Sequence, residues 1–326
     1  MKMQVSVVIP LYNKERFIAR AIRSVLAQTH QDFEIIVVND GSTDQSVEVV
    51  EGLRQSRVRI LHQQNQGPGA ARNAGVRLAI TPFVAFLDAD DEWMPEFLQK
   101  SLDILTRAPD CGFTISAFYD GPQRRNSQAH LDIRGYGPGR YEVCLGTLPN
   151  CFDWILHAYL PSTTVFRRQV FEDCGGFYDK NQCKFGEDMY LFVTASLRCP
   201  FWRLGEPLVW YHSEDSVLAK QRKVLTPLLL DPQRVLDLCP ERNKPVLRGL
   251  LADRAVQEAL AQAYQGNFNH CDSLFDQFDC EAIVGKRASN ARRQITALGR
   301  IPSALREKVP RLTQRVLHLL FPLSST

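Results

Sequence analysis

Four short apolar runs constrain this chain most: VSVVIP, FEIIVVND, VRILHQ and FVAFLD, all within the first hundred residues. They are rich in β-branched residues and continuous rather than alternating, the pattern of strands buried on both faces of a parallel sheet. Between them lie segments with apolar residues at helical spacing. Phe17, Ile18, Ala21, Ile22, Val25 and Leu26 follow the first run, with Asn13 read as the N-cap. GSTDQSVEVVEGLR opens a second helix, where Ser42 and Gln45 fit a capping box. GPGAARNAGVRLAI makes a third, entered through glycines, and a fourth runs from about Pro95 to Thr106. Repeated βα units of this kind predict an α/β fold with a mostly parallel, twisted sheet and helices on both faces.

From Cys111 to Tyr141 the regularity weakens, and YDGPQRRNSQAHLDIRGYGPGRY reads as a long mobile loop. STTVFRR predicts a strand, GEDMYLFVTASL a helix and PLVWYHSEDS a last extended segment. Past Lys220 the pattern is helical, with a break near CPERNKP. The expected organisation is an α/β domain over residues 1–220 and a helical extension over residues 221–326.

Composition narrows the class. Hydrophobic content of 44% supports a sizeable core, and a net charge of +3 is too mild to argue for a nucleic-acid partner. Nine cysteines without a CxxC pair point to reduced thiols in the cytoplasm rather than to zinc or a disulfide framework. MKMQVSVVIPLYNKE reads as a buried first strand rather than a signal peptide. No apolar run approaches the roughly 18–20 residues that cross a bilayer. The expected location is cytoplasmic, either free or peripheral on the inner face of the membrane.

FVAFLDADDEW (Phe83–Trp93) ends an apolar run in four acids, Asp88, Asp90, Asp91 and Glu92. Their mutual repulsion calls for a positive partner or for water. In open α/β sheets, ligands bind outside the carboxyl ends of the strands. Three such ends here are polar: PLYN, NDGSTD and DADDE. Each alone reads more readily as an ordinary polar turn; together on one edge of a sheet they point to a ligand site. On an extended segment Asp88 and Asp90 would face the same way, a hard-oxygen pair suited to Mg²⁺ or Mn²⁺. Asp91 and Glu92, just before Pro95, read as favouring a helix N-terminus. No glycine-rich dinucleotide turn and no phosphate loop follows the first strand, so a bound phosphate is expected to be held through a divalent cation.

VSVVIPLYNKERFIARAIRSVLAQTHQDFEIIVVNDGSTD, NQGPGAARNAG, FLDADD, GGFYD and GED together resemble an inverting glycosyltransferase of family 2. The likeness covers about Val5 to His212 and implies the GT-A fold. It also implies roles at matching positions. Pro10 and Tyr12 would line the nucleotide base, Asp40 would hydrogen-bond it, and Arg72 would help hold the nucleotide. Asp88 would contact the ribose or share the metal, and Asp90 would bind the metal that bridges the donor diphosphate. Asp188 would be the catalytic base, and His212 would add a metal or phosphate contact. Blander readings stand beside these: Asp188 as a helix cap, Arg72 as a surface helix residue, and His212 as a structural histidine among aromatics. Gly175 and Gly176 read as shaping a turn under the acceptor site. The tryptophan and basic residue that often follow the family's ED pair are replaced here by Phe192 and Thr194, a departure that bears on acceptor recognition.

The resemblance implies one direct displacement from a nucleotide-diphosphate sugar, with uridine favoured by Asp40, to an acceptor hydroxyl. A carbohydrate or lipid-linked acceptor in cell-surface polysaccharide or glycolipid synthesis is expected. The Q-x-x-R-W signature of processive synthases is absent, so a single transfer is expected. The loop around Gly121–Tyr141 would close over the donor. The alternatives are a noncatalytic nucleotide-sugar-binding module, a scaffold protein, or a sugar-nucleotide pyrophosphorylase. The last would need a glycine-rich loop with a basic residue after strand one. From Lys286 onward the chain carries nine Lys/Arg and one acid, Glu307. Between Pro310 and Pro322, Arg311, Arg315 and His318 share one helical face, and Leu312, Val316, Leu319 and Leu320 another. Such a helix either makes peripheral contact with an anionic membrane or packs on the protein or a second subunit.

Overall fold

The apolar runs form the strands they predict: β1 (Val5–Leu11), β2 (Phe33–Asn39), β3 (Val58–His62) and β4 (Phe83–Phe86). The computed structural model describes residues 4–128, 136–143, 159–215 and 227–299. They fall into two compact units. One runs to Pro227 and takes in Asp237–Pro240; the other holds Leu228–Leu236 and the chain from Glu241.

In the first unit, α1 (Ile18–Leu26), α2 (Ser46–Gly52), α3 (Pro68–Leu78) and α4 (Phe97–Arg107) alternate with these strands. The sheet is completed by β5 (Glu92–Trp93), β6 (Phe113–Asp120), β7 (Arg125–Asn126), β8 (Gly139–Tyr141), β9 (Thr164–Arg167) and β10 (Phe201–Tyr211). Helices α5 (Arg168–Asp173) and α6 (Glu187–Arg198) lie between the last two strands. The strand order is β3-β2-β1-β4-β9-β6-β10-β5, with β7 on β6 and β8 on β10.

The first four strands pair in parallel, as do β6 and β10; β9 runs antiparallel between β4 and β6, and β5 antiparallel to β10. The sheet is therefore mixed α/β, with the parallel pattern concentrated in its first half. Direction has a functional consequence. Because β9 is reversed, its start lies level with the end of β4: Ala85 pairs with Val165, and Phe83 with Arg167. β10 runs with β6, so its end reaches the same carboxyl edge, where Trp210 pairs with Glu92.

The α1 stripe packs as its spacing requires, with Ile18, Ala21, Ile22 and Val25 buried. Its entry differs from expectation. Asn13 does not cap the helix; it takes a left-handed conformation (φ 52°), and its side-chain oxygen accepts the Thr43 N–H at 2.8 Å. The expected Ser42–Gln45 box is likewise not formed. Helix α2 starts at Ser46, whose N–H is received by Asp44 Oδ1 at 3.0 Å. Asn13 and Ser42 instead tie the β1 and β2 loops together, the Asn13 N–H donating to Ser42 Oγ at 3.2 Å, while Asp44 closes the start of α2. Part of the expected loop Gly121–Tyr141 is also paired structure, namely β7 and β8; residues 129–135 lie outside the described residues.

Helix α3 lies flat on the sheet because Gly75 has no Cβ. An added methyl would meet the Val8 side chain and come within 3.2 Å of Val38 Cγ2. Gly75→Ala gains about 0.5–1 kcal/mol of helix propensity but overpacks a closed core at about 1–3 kcal/mol. A net fall in thermal unfolding temperature is expected; an unchanged or raised value would show that α3 can lift off the sheet freely.

The second unit is helical among its described residues. Lys244–Tyr264 buries Leu247, Leu250, Leu251, Val256 and Ala259 and packs with Cys271–Gln277, Cys280–Val284 and Lys286–Gly299. The expected break falls at Cys239–Pro240, between Pro232–Leu238 and Glu241–Asn243. The stretch Pro310–Pro322 lies outside the described residues. Among the described residues no helix is long and apolar enough to cross a membrane. The seven cysteines among them are all free thiols.

Candidate active site

The chain after β4 does not stay extended through its acids. Leu87 still donates to Val8 O at 3.1 Å, but Asp91 N–H then turns back to Asp88 O at 3.0 Å. Asp88 and Asp90 are thus separated by a turn rather than by a strand's alternation, and each meets a different cation. Asp88 Oδ1 lies 2.6 Å from Arg72 Nη2, whereas Asp90 Oδ2 is paired with Lys14 Nζ. Burial pushes the Asp90 carboxyl above its usual range, against the pull of Lys14, and the charge of Asp88 adds to the rise.

Asp91 and Glu92 do not open a helix, contrary to expectation; α4 starts only at Phe97. Asp91 is buried, accepting the Ser162 hydroxyl at 2.5 Å and the His212 N–H at 3.3 Å. Its carboxyl is pushed well up, by burial first and by Asp88 and Asp90 second. Glu92 stands between Arg20 Nε (3.3 Å) and His212 Nε2 (2.9 Å).

Arg72 is not a surface residue. It is 4% exposed on α3, its guanidinium 5.0 Å from the centre of the Phe177 ring. It joins Asp88 to Glu187, whose Oε1 is 3.0 Å from Nη1. Burial opposes the guanidinium charge, but Asp88 and Glu187 together hold it more firmly protonated than usual. Glu187 and Asp188 open α6 behind Gly186, whose left-handed φ of 77° suits glycine. Burial and the neighbouring Asp188 push Glu187 up to about 7, against the pull of Arg72. Asp188 is raised as well, chiefly by burial; the Met189 N–H bond at 2.7 Å and Arg72 oppose the rise, and Asp88 reinforces it.

Pro10, Tyr12 and Asp40 occupy the neighbouring strand ends. Tyr12 is 48% exposed and Pro10 half-buried, while Asp40 is buried. Asp40 Oδ1 accepts Gln63 Nε2 at 2.7 Å and Gln66 N–H at 2.9 Å, and Oδ2 accepts Gly67 N–H at 2.9 Å. It fixes the loop that leads into α3. Among the described residues it makes no hydrogen bond to the acids after β4.

His212, at the end of β10, is 5% exposed and stacks on Trp210 with centroids 4.4 Å apart. Its Nδ1 lies 3.2 Å from Glu214 Oε1. Ligand atoms of His212, Glu214 and Asp215 fall within 4.8 Å of one another. Lys14 Nζ also donates to Asp215 O at 3.3 Å, and Arg20 Nη2 reaches Asp90 O at 2.5 Å and Asp215 Oδ2 at 3.4 Å. Two cations thus bridge Asp90 to the His212 segment. These carboxylate oxygens and imidazole are a donor set that a divalent cation such as Mn²⁺ can take; Asp88 and Asp90, which face Arg72 and Lys14, are not among the ligand atoms brought together.

Four contributors were not among the expected site residues. Glu187 was legible as the neighbour of Asp188. Lys14 directly follows PLYN but has no distinctive spacing. Arg20 sits among helix residues and reads as solvated, and Ser162 has no local signal. Phe192 and Thr194, at the family's variable positions, are both buried, and Phe192 packs 4.8 Å from Tyr159. Gly176 has φ 69°, and a Cβ there would meet Asn73 Oδ1.

Comparison with known proteins supplies independent findings. Residues 6–175 match glycosyl transferase family 2. The Bacillus subtilis protein named "Uncharacterized glycosyltransferase EpsJ" is 33% identical over 208 residues, 59% of this chain and 55% of its own. The chain spans about half or less of the length of the curated relatives it matches. Among solved structures, S. aureus TarS 1–349 in complex with UDP-GlcNAc superposes with a TM-score of 0.71 at 19% identity, over 95% of this chain and 92% of that one. The mannosyltransferase PcManGT from Pyrobaculum calidifontis, in complex with GDP-Man and Mn²⁺, does so with 0.50 at 16% identity, over 99% and 82%. At these identities the structures establish the fold.

Proposed function

Because this chain belongs to glycosyl transferase family 2, we propose that it moves one sugar from a nucleotide-diphosphate sugar to an acceptor hydroxyl with inversion. The observation that carries the proposal is Arg72, buried between Asp88 and Glu187. It joins the acids after β4 to the start of α6, where Asp188 stands.

Tyr12 and Pro10 offer the base an open strand end. Asp40 would hydrogen-bond the base, and uridine is favoured by the family resemblance alone. Asp88 and Arg72 hold the nucleotide side. Asp90, with Asp88 and His212, would hold a divalent ion, Mn²⁺ or Mg²⁺. A metal bound there would act as a Lewis acid on the departing diphosphate. Asp188 takes the proton from the acceptor hydroxyl as it attacks the anomeric carbon from the far side. The free thiols of the described residues favour a cytoplasmic setting. A carbohydrate or lipid-linked acceptor in cell-surface polysaccharide or glycolipid synthesis fits that setting. The basic stretch around Arg311 and Arg315 would supply peripheral membrane contact, and no nucleic-acid partner is proposed.

The test is release of nucleoside diphosphate from UDP-, GDP- and dTDP-sugars in Mn²⁺. One donor is expected to turn over, and excess chelator to stop it. Asp90→Asn should slow release by at least about 10–100-fold, since losing a ligand costs no less than losing a ligand's partner. No release from any donor would overturn the enzymatic reading. Full activity in chelator would overturn the metal assignment.

A further inference from the structure

We propose that Ser162 and Asp91 are positioning residues that lock the Asp88 turn and the His212 strand end at one spacing. The proposal rests on the metal reading above.

Three hydrogen bonds form a continuous chain between the two places. Asp88 N–H donates to Ser162 Oγ at 3.1 Å, and the Ser162 hydroxyl donates to Asp91 Oδ2 at 2.5 Å. His212 N–H donates to the other oxygen, Oδ1, at 3.3 Å. Ser162 is fully buried and Asp91 is 1% exposed. Ser162 is itself fixed, because Trp93 Nε1 donates to its carbonyl at 2.7 Å. The pieces come from three parts of the chain. Ser162 lies in the turn Pro161–Thr163 ahead of β9, which the antiparallel direction of that strand delivers to the carboxyl edge.

Burying a carboxylate is costly unless its oxygens are well satisfied. Here each oxygen is spent on a segment that carries a candidate metal ligand: one on the His212 backbone, the other through Ser162 on the Asp88 backbone. An ordinary core contact would not need to pick out those two backbones. The arrangement resembles the hydrogen-bonded partners that orient metal-binding side chains, whose removal typically lowers metal affinity by about 10–100-fold.

The experiment is titration with Mn²⁺ alone, followed by electron paramagnetic resonance, on the full chain. Thermal unfolding of each variant is measured in parallel. Ser162→Ala and Asp91→Asn are each expected to weaken Mn²⁺ binding by about 10–100-fold. Combined, they should cost little more than either alone, because they break the same chain. Ser162→Thr, which keeps the hydroxyl, should recover most of the affinity. Either single variant suffices if the other does not fold. Wild-type affinity in folded Ser162→Ala or Asp91→Asn would overturn the positioning role, as would fully additive losses. If the wild type binds no Mn²⁺, or Asp90→Asn binds it normally, the metal reading itself fails and takes this inference with it.

Discussion

Asp188→Asn is expected to bind donor like the parent chain and to transfer sugar about 10²–10⁴-fold more slowly. The substitution keeps size and hydrogen-bonding shape and removes only the ability to accept a proton. Asp188 suits that task because its environment is divided. Burial and the charge of Asp88 raise its pKa, while the Met189 N–H and Arg72 restrain the rise. The net shift is upward, so Asp188 as the proposed base would be better matched to a neutral operating pH than an ordinary aspartate. The sign of the pH dependence follows. Activity needs the deprotonated form, so kcat/KM should fall as pH drops through a value above the normal aspartate range. That acid limb should vanish in Asp188→Asn. Calorimetric donor binding with pH-resolved turnover checks both parts. Transfer near the parent rate, or an unchanged acid limb, would place the base elsewhere.

Arg72→Gln should cost about 3–5 kcal/mol of stability at neutral pH, because it leaves two carboxylates facing each other without their cation. The side chains of Arg72 and Glu187 are 5% and 8% exposed, so water offers Glu187 little relief, whereas Asp88 at 27% is partly solvated. The loss should itself depend on pH. In the parent, Glu187 titrates at about 7 in the folded state, above its unfolded value near 4.3. The folded state therefore binds the extra proton, and this contribution is full at low pH and lost as pH rises through 7. Removing Arg72 removes a cause that lowers Glu187 and raises its folded pKa further. The stability deficit of the variant should thus be larger at pH 8 than at pH 6. Thermal unfolding of both chains at the two values decides it. A deficit equal at both, or smaller at pH 8, would mean that Glu187 is not the group left unpaired.

The polar edge that holds the candidate site was legible in the sequence. The strand ends PLYN, NDGSTD and DADDE lie on one sheet edge because strands that pair in parallel end together, and parallel pairing was readable from the continuous apolar runs. Asp88, Arg72 and Asp188 were named through the family resemblance, and the structure pairs Arg72 with Asp88 and with Glu187, the neighbour of Asp188. The Asn13 and Ser42 assignments failed for a common reason. Local spacing offered these polar side chains a helix end, while the fold offered them backbone groups across the β1–β2 edge: Asn13 Oδ1 accepts the Thr43 N–H and Ser42 Oγ the Asn13 N–H.

The sequence by itself determined the α/β class, the strand and helix order of the first hundred residues, and which residue types stand at the ligand edge. All of these follow from periodicities of a few residues, which the chain carries locally. Tertiary structure alone decided the partners of the acids. Asp91 joins Ser162 and His212, residues 71 and 121 positions away. Nothing in the local text of Pro161–Thr163 marks it for the active edge; the reversed direction of β9 brings it there. A buried charge takes its meaning from whatever desolvates and satisfies it, and those groups are fixed only when distant segments pack.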